Sequence, residues 1–101
     1  MVEYIAEREM TAVAPEGERF TIVARIGRPC LVGEKEWTCP VALDGLYNSL
    51  ADQHGVDSWQ ALQLAYSLCL DLLDSFVEKG WKLYLWPGEA PLSQKELREF
   101  F

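Results

Sequence analysis

A chain of 101 residues, half of them apolar and a quarter charged, has the composition of one globular domain with its own core, and it excludes a disordered or fibrous chain. Its net charge of −7 argues against nucleic acid as a partner, because that affinity comes mainly from Lys and Arg neutralising phosphates. No apolar run approaches the length of a membrane span and no basic-then-apolar leader pattern opens the sequence, so a cytoplasmic protein without a membrane partner is expected.

Tyr4 to Val13 is rich in strand formers but mixes charges on both faces, which predicts a strand near a sheet edge. Pro15-Glu16-Gly17-Glu18 reads as a turn. Phe20, Ile22, Ala24 and Ile26 then alternate with Thr21, Val23, Arg25 and Gly27 at the period of a half-buried strand, so the two strands should form a hairpin. Gly27-Arg28-Pro29 and Gly33-Glu34-Lys35 interrupt the pattern before Trp37, Cys39, Val41 and Leu43 alternate as a third strand. Pro40 sits on the opposite parity, where it cannot donate to a ladder, so an edge or a bulge is expected there. Asp44-Gly45 closes the strand, and Leu46 to Gln53 is expected to form a short helix ended by His54-Gly55.

The clearest element is a helix from Ser58 to Lys79. Asp57 with Gln60 three residues on gives a capping-box pattern, and Gly80 supplies the left-handed stop. Gln60, Gln63, Ser67, Asp71, Asp74 and Glu78 recur at spacings that confine them to an arc of about 80°, leaving about 240° to apolar side chains. A helix on one sheet needs a stripe only somewhat wider than about 100°, so something besides its sheet must cover the rest. Trp81 to Trp86 reads as a fourth strand, apolar or aromatic on nearly both faces and therefore expected to be central or covered on both sides. Residues 86–92, rich in Pro and Gly, read as a linker to a short terminal helix over 93–101, capped by Ser93 and Glu96, with Leu97, Phe100 and Phe101 on one face. The whole chain, 1–101, reads as a single α+β domain: a three-stranded antiparallel meander, one long helix packed on the sheet, then a fourth strand and the C-terminal helix. A helix returning antiparallel to the third strand would set the fourth strand parallel to the first and third.

Little of the sequence carries chemistry. Cys30, Cys39 and Cys69 are odd in number and fit neither a disulfide framework nor zinc-ligand spacing, so free structural thiols are expected, with Cys69 in the core. The single histidine, His54, is a candidate helix-end cap, and its use as a base with a thiol or a carboxylate is the third-ranked reading, a small enzyme. Asp71, Asp74 and Glu78 lie within reach of a shared cation, but a solvated, exposed helix face explains them more simply, and Glu7 with Glu9 reads as an exposed sheet face. No phosphate-binding glycine loop is present, so no metal, cofactor or catalytic residue is expected. Trp37, Trp59, Trp81 and Trp86 read as core residues unless left exposed, where each would be an interface anchor.

Ile5-Ala6-Glu7-Arg8, Ile26-Gly27-Arg28-Pro29, Trp37-Thr38-Cys39-Pro40, Asp44-Gly45-Leu46 and the run from Gly55 to Ala65 together resemble a family of small bacterial proteins known only as a domain of unknown function. The resemblance runs over most of residues 5 to 86. It implies a bacterial origin and a cytoplasmic α+β fold, and it brings no catalytic residue or ligand.

Between Lys35 and Lys79 there is no Lys or Arg, whereas Glu36, Asp44, Asp52, Asp57, Asp71, Asp74 and Glu78 supply seven negative charges, so the net charge resides in the middle of the chain. The expected role is a non-catalytic protein-interaction module, binding a protein partner or a second copy of itself through Asp71, Asp74, Glu78, Trp86, Leu97, Phe100 and Phe101. The alternative is an immunity or antitoxin-type inhibitor of a basic partner surface. For the broad apolar arc, either the terminal helix or a second copy of the chain is the expected cover, the second copy being preferred.

Overall fold

The computed structural model describes residues 2–101. Seven strands and two helices are arranged in the order β1 (Tyr4–Val13), β2 (Arg19–Gly27), β3 (Cys30–Gly33), β4 (Glu36–Cys39), β5 (Val41–Asp44), β6 (Gln53–Gly55), α1 (Ser58–Glu78), β7 (Lys82–Tyr84) and α2 (Gln94–Phe100). They form a four-stranded sheet in the order β5-β2-β1-β7 and a three-stranded sheet in the order β3-β4-β6. The fold is α+β, as its sequence pattern indicates.

The third strand is not continuous. Pro40 stands between β4 and β5, and its carbonyl accepts from the Gly27 N–H at 2.7 Å while its missing N–H ends the ladder. On either side of that break the chain serves different sheets: Val41 to Asp44 pair with β2, whereas Trp37 to Cys39 pair with β6. Cys30 to Gly33, which sequence reading passes over as interrupted by glycines, pairs with β4 through the turn at Glu34-Lys35.

The segment expected to be a helix over Leu46–Gln53 is instead a turn and a short strand. Gly45 at φ +98° turns the chain, Tyr47 N–H bonds the Leu43 carbonyl, and the chain then travels back to lay β6 antiparallel on β4. This return reverses the polarity of the long helix and of the last strand. Ala61 lies against Gly55, Cys69 against the Ala42 carbonyl, and Phe76 against Tyr47, so α1 runs alongside β4 and β5 in their own direction. Hence β7 is antiparallel to β1, not parallel, and the sheet is antiparallel throughout. Gly55 is required for the close crossing, since a Cβ there would stand 2.5 Å from the Ala61 backbone nitrogen.

The ends of α1 form by local chemistry. Asp57 accepts from the Gln60 N–H at 2.8 Å, and Gln60 in turn accepts from the Val56 N–H. At the C-terminus, Trp81 N–H bonds the Phe76 carbonyl and Gly80 N–H the Val77 carbonyl, with Gly80 at φ +98°. The buried line Ala61, Ala65, Cys69 and Leu73 meets Met10, Ala12, Ile22, Cys39, Val41 and Leu43 from both sheets.

The fourth strand is shorter and more peripheral than its composition suggests. Only Lys82 to Tyr84 pair with β1, and β7 lies at the edge of its sheet, because Leu85 and Trp86 leave the ladder for the turn at Gly88. Its outer side is covered by the chain itself, where the Leu92 N–H donates to the Leu83 carbonyl at 2.7 Å. Residues 86–92 are thus tied down at their end, with Leu92 buried. From there α2, held by the reciprocal Ser93 and Glu96 capping box, docks on the flank of α1. Leu97 is fully buried, Phe101 stands against Tyr66, and Arg98 reaches Asp74 at 2.8 Å.

This docking predicts that Leu97→Ala costs about 2–4 kcal/mol of stability by urea unfolding. Phe100→Ala, at a ring 41% exposed, should cost clearly less. Equal and small effects would contradict the placement of α2.

Candidate functional site

α2 covers only part of the flank on which it lies. On a helix of 3.6 residues per turn, Trp59, Leu62 and Tyr66 occupy the same flank as Leu73 and Val77. The C-terminal part of that flank is under α2; the first two turns are not. Opposite them lies the beginning of the large sheet, where a bulge between Tyr4 and Ala6 inserts Ile5 into β1. Such a bulge puts successive side chains on one face, so Ile5 and Ala6 both line the space below α1.

The result is an open groove of about 490 Å³ whose floor is Ile5, Ala6 and Ile26 and whose wall is Trp59, Leu62 and Tyr66, with the amide of Gln63 also lining it. Trp59 is 79% exposed, Ile5 54% and Leu62 37%. A smaller cavity of about 180 Å³ continues it beneath Phe100 and Phe101, sharing Ala6, Ile26 and Tyr66. At that end Arg8 closes the space: its Nη1 donates to the Phe100 carbonyl at 2.6 Å and its guanidinium lies 5.0 Å from the Phe101 ring centre. A cation at a helix C-terminus is favourably placed against the dipole as well.

The residues singled out from the sequence are distributed differently from expectation. Asp71 and Glu78 are exposed on α1. Asp74, expected to be exposed, is not: its side chain is only 18% exposed and is committed to Arg98. Leu97 lies in the core, Trp86 meets Phe100 edge-on, and Phe101 packs between Tyr66 and Arg8. Trp86, Leu97, Phe100 and Phe101 therefore help hold α2 in place. Of the tryptophans, Trp37 and Trp81 pack against the core, and Trp59 is the most exposed. Ile5 and Tyr66 are not marked out by the sequence; the bulge that aims Ile5 leaves no sign in the residue types.

The imidazole of His54 does not meet the buried thiol of Cys39. In β4 and β6, Thr38 faces His54 while Cys39 faces Gln53, so the pleat turns His54 away from Cys39 and towards Glu36, whose Oε1 is 3.4 Å from Nδ1. Cys39 is buried with its Sγ towards the Gly27 carbonyl, and burial, with a smaller contribution from Asp52, raises its pKa. Burial also pushes the Cys69 thiol up, to about 11. On the opposite sheet face Arg25 bridges Glu7 and Asp44, each at 2.6 Å, and the Glu7 hydrogen bond raises its pKa. Among the described residues no cluster of three or more His, Cys, Asp or Glu is placed to hold a metal. No helix among them is long and apolar enough to cross a membrane.

The chain belongs to the family DUF6968, a domain of unknown function, whose model matches residues 6–89. That span takes in β1 from Ala6 onward, the remaining strands of both sheets and α1, and it begins just after the bulge at Ile5. No curated protein and no solved structure matches the chain.

The burial of the thiols predicts that the native protein shows one fast-reacting cysteine at pH 8, Cys30, and two slow ones, with all three free after denaturation. The folded state also holds the Cys69 proton more tightly than the unfolded chain does. Its contribution to stability is therefore complete below about pH 9 and is lost as pH rises towards about 11. A Cys69→Ala variant should show a shallower alkaline loss of stability in urea titrations; an unchanged slope would contradict the burial.

Proposed function

We propose that this member of the family is a non-catalytic protein-interaction module whose docking site is the groove between α1 and the start of the large sheet. The observation that carries the reading is Trp59, 79% exposed at the lip of an apolar groove of about 490 Å³. Small-molecule sites enclose most of their ligand, whereas this groove is open along its side and presents an aromatic anchor of the kind that dominates protein interfaces. His54 is turned away from Cys39, and Cys69 is buried with its Sγ at the Ala42 carbonyl, which supports a non-catalytic role.

The groove is favoured over the acidic arc of α1, which is part of the acidic middle of the chain that motivates the inhibitor alternative. Asp74 is already neutralised by Arg98, which leaves Asp71 and Glu78 as isolated exposed charges of small expected worth. A second copy of the chain is also less needed as a cover, because the flank that called for one receives α2 over its C-terminal half.

Peptides selected from a random display library against the immobilised protein test the reading. Trp59→Ala combined with Leu62→Ser should weaken the selected peptides by roughly tenfold or more. The pair Asp71→Asn and Glu78→Gln should leave them within about twofold. The reverse ranking would favour a basic partner on the acidic arc and overturn the groove.

A further inference from the structure

Beside the groove lies a length of unpaired strand. β1 pairs with β2 from Tyr4 to Val13, but on its other side β7 reaches only Thr11 to Val13. The direction of each backbone group is set by two hydrogen bonds. The Leu83 carbonyl is taken by the Leu92 N–H and so faces away from β1, which makes Thr11 and Val13 the residues bonded to β7. Ala14 N–H bonds the Glu18 carbonyl, so even-numbered residues face β2. By alternation, Glu7 and Glu9 present their N–H and C=O groups outward, in line with β7, where no strand among the described residues pairs with them.

We infer that this edge accepts an extended segment of another protein as an added strand, with basic side chains opposite Glu7 and Glu9 and apolar ones on the groove side. The inference rests on the interaction-module reading and names the partner's chemistry. Residues directly opposite each other in an antiparallel pair share a face. Those opposite Glu7 and Glu9 would stand on the face away from α1, beside the unpaired carboxylate of Glu9 and that of Glu7, which already bonds Arg25; those between would stand next to Ala6 and Arg8, on the side of Ile5, Trp59 and Tyr66. Glu9 makes no ion pair among the described residues, which leaves it free to take a Lys or Arg.

The same pattern disfavours pairing of β1 with β1 of a second copy. A two-fold pairing of β1 with itself through the outward groups sets Glu7 opposite Glu7 or Glu9, or Glu9 opposite Glu9, and like charges directly opposite are destabilising. A bulge and edge charges of this kind are how sheets guard an edge against self-pairing while leaving it open to a complementary strand.

The probe is a blocked heptapeptide in which lysine alternates with valine, titrated into the isotope-labelled full chain with amide exchange as the readout. The expected result is new protection at the amides of Glu7 and Glu9, with weakening on added salt. N-methylating the peptide's lysine amides, which removes the donors facing β1, should weaken binding by about tenfold or more, the loss expected for two hydrogen bonds. Glu9→Lys should weaken it less, by about two- to fivefold, and should reduce the salt dependence. No protection at Glu7 and Glu9 would overturn the inference, as would protection in the free protein that grows with its own concentration. If the N-methylated peptide binds equally well and Trp59→Ala abolishes binding, the strand addition falls and the groove stands. If Glu7 and Glu9 are protected but Trp59→Ala and Leu62→Ser change nothing, the strand addition stands and the groove falls.

Discussion

The width of the apolar arc of α1 governs the rest of the architecture. A helix on a single sheet presents a stripe of somewhat over about 100°, and this helix carries about twice that. Burying it requires covers that approach from different directions. The large sheet takes the buried line from Ala65 through Cys69 to Leu73; the small sheet closes over the start of the helix at Ala61 from β4 and β6; α2 closes over the end of one flank through Leu97 and Phe101. What remains uncovered is Leu64 on the other flank and the first part of that same flank, Trp59 and Leu62, and these last two form the wall of the groove.

Two sheets can serve one helix because of Pro40. A proline in the middle of a strand removes one ladder donor, and here that loss separates a half that pairs with β2 from a half that pairs with β6. The chain must then return to the start of β4 before the helix begins. That return aligns α1 with β5 and turns β7 antiparallel to β1, so that β7 enters its ladder beside Val13. The edge beside Glu7 and Glu9 is left open because Leu85 and Trp86 then leave the ladder for the turn at Gly88.

Much of this architecture was legible in the sequence. Alternation from Phe20 to Ile26, the Asp57 and Gln60 cap, the Gly80 stop and the Ser93 capping box each act over a few residues, and each appears where the residue types place it. Pro40 marked the irregular strand. The polarity of the last strand was not legible, because it depends on β6, whose three residues carry no period of their own and are held by pairing with β4. Trp81 to Trp86 looked like a central strand because it is aromatic on both faces; the covers are Phe20 and Phe76 around Trp81 and Phe100 at Trp86, all contributed from elsewhere in the chain. The groove was the least visible feature. Its wall was part of a recognised apolar arc, but its floor depends on the bulge at Ile5, and its emptiness depends on where α2 stops.

Native-state amide exchange along β1, read residue by residue in the free protein, tests the central claim most directly. Slow exchange is predicted at Arg8, Met10 and Ala12, which face β2, and at Thr11 and Val13, which face β7, interrupted by fast exchange at Glu7 and Glu9. Protection at Glu7 and Glu9 equal to that at Thr11 would show that the edge is already paired, and would contradict the open edge on which the docking surface depends.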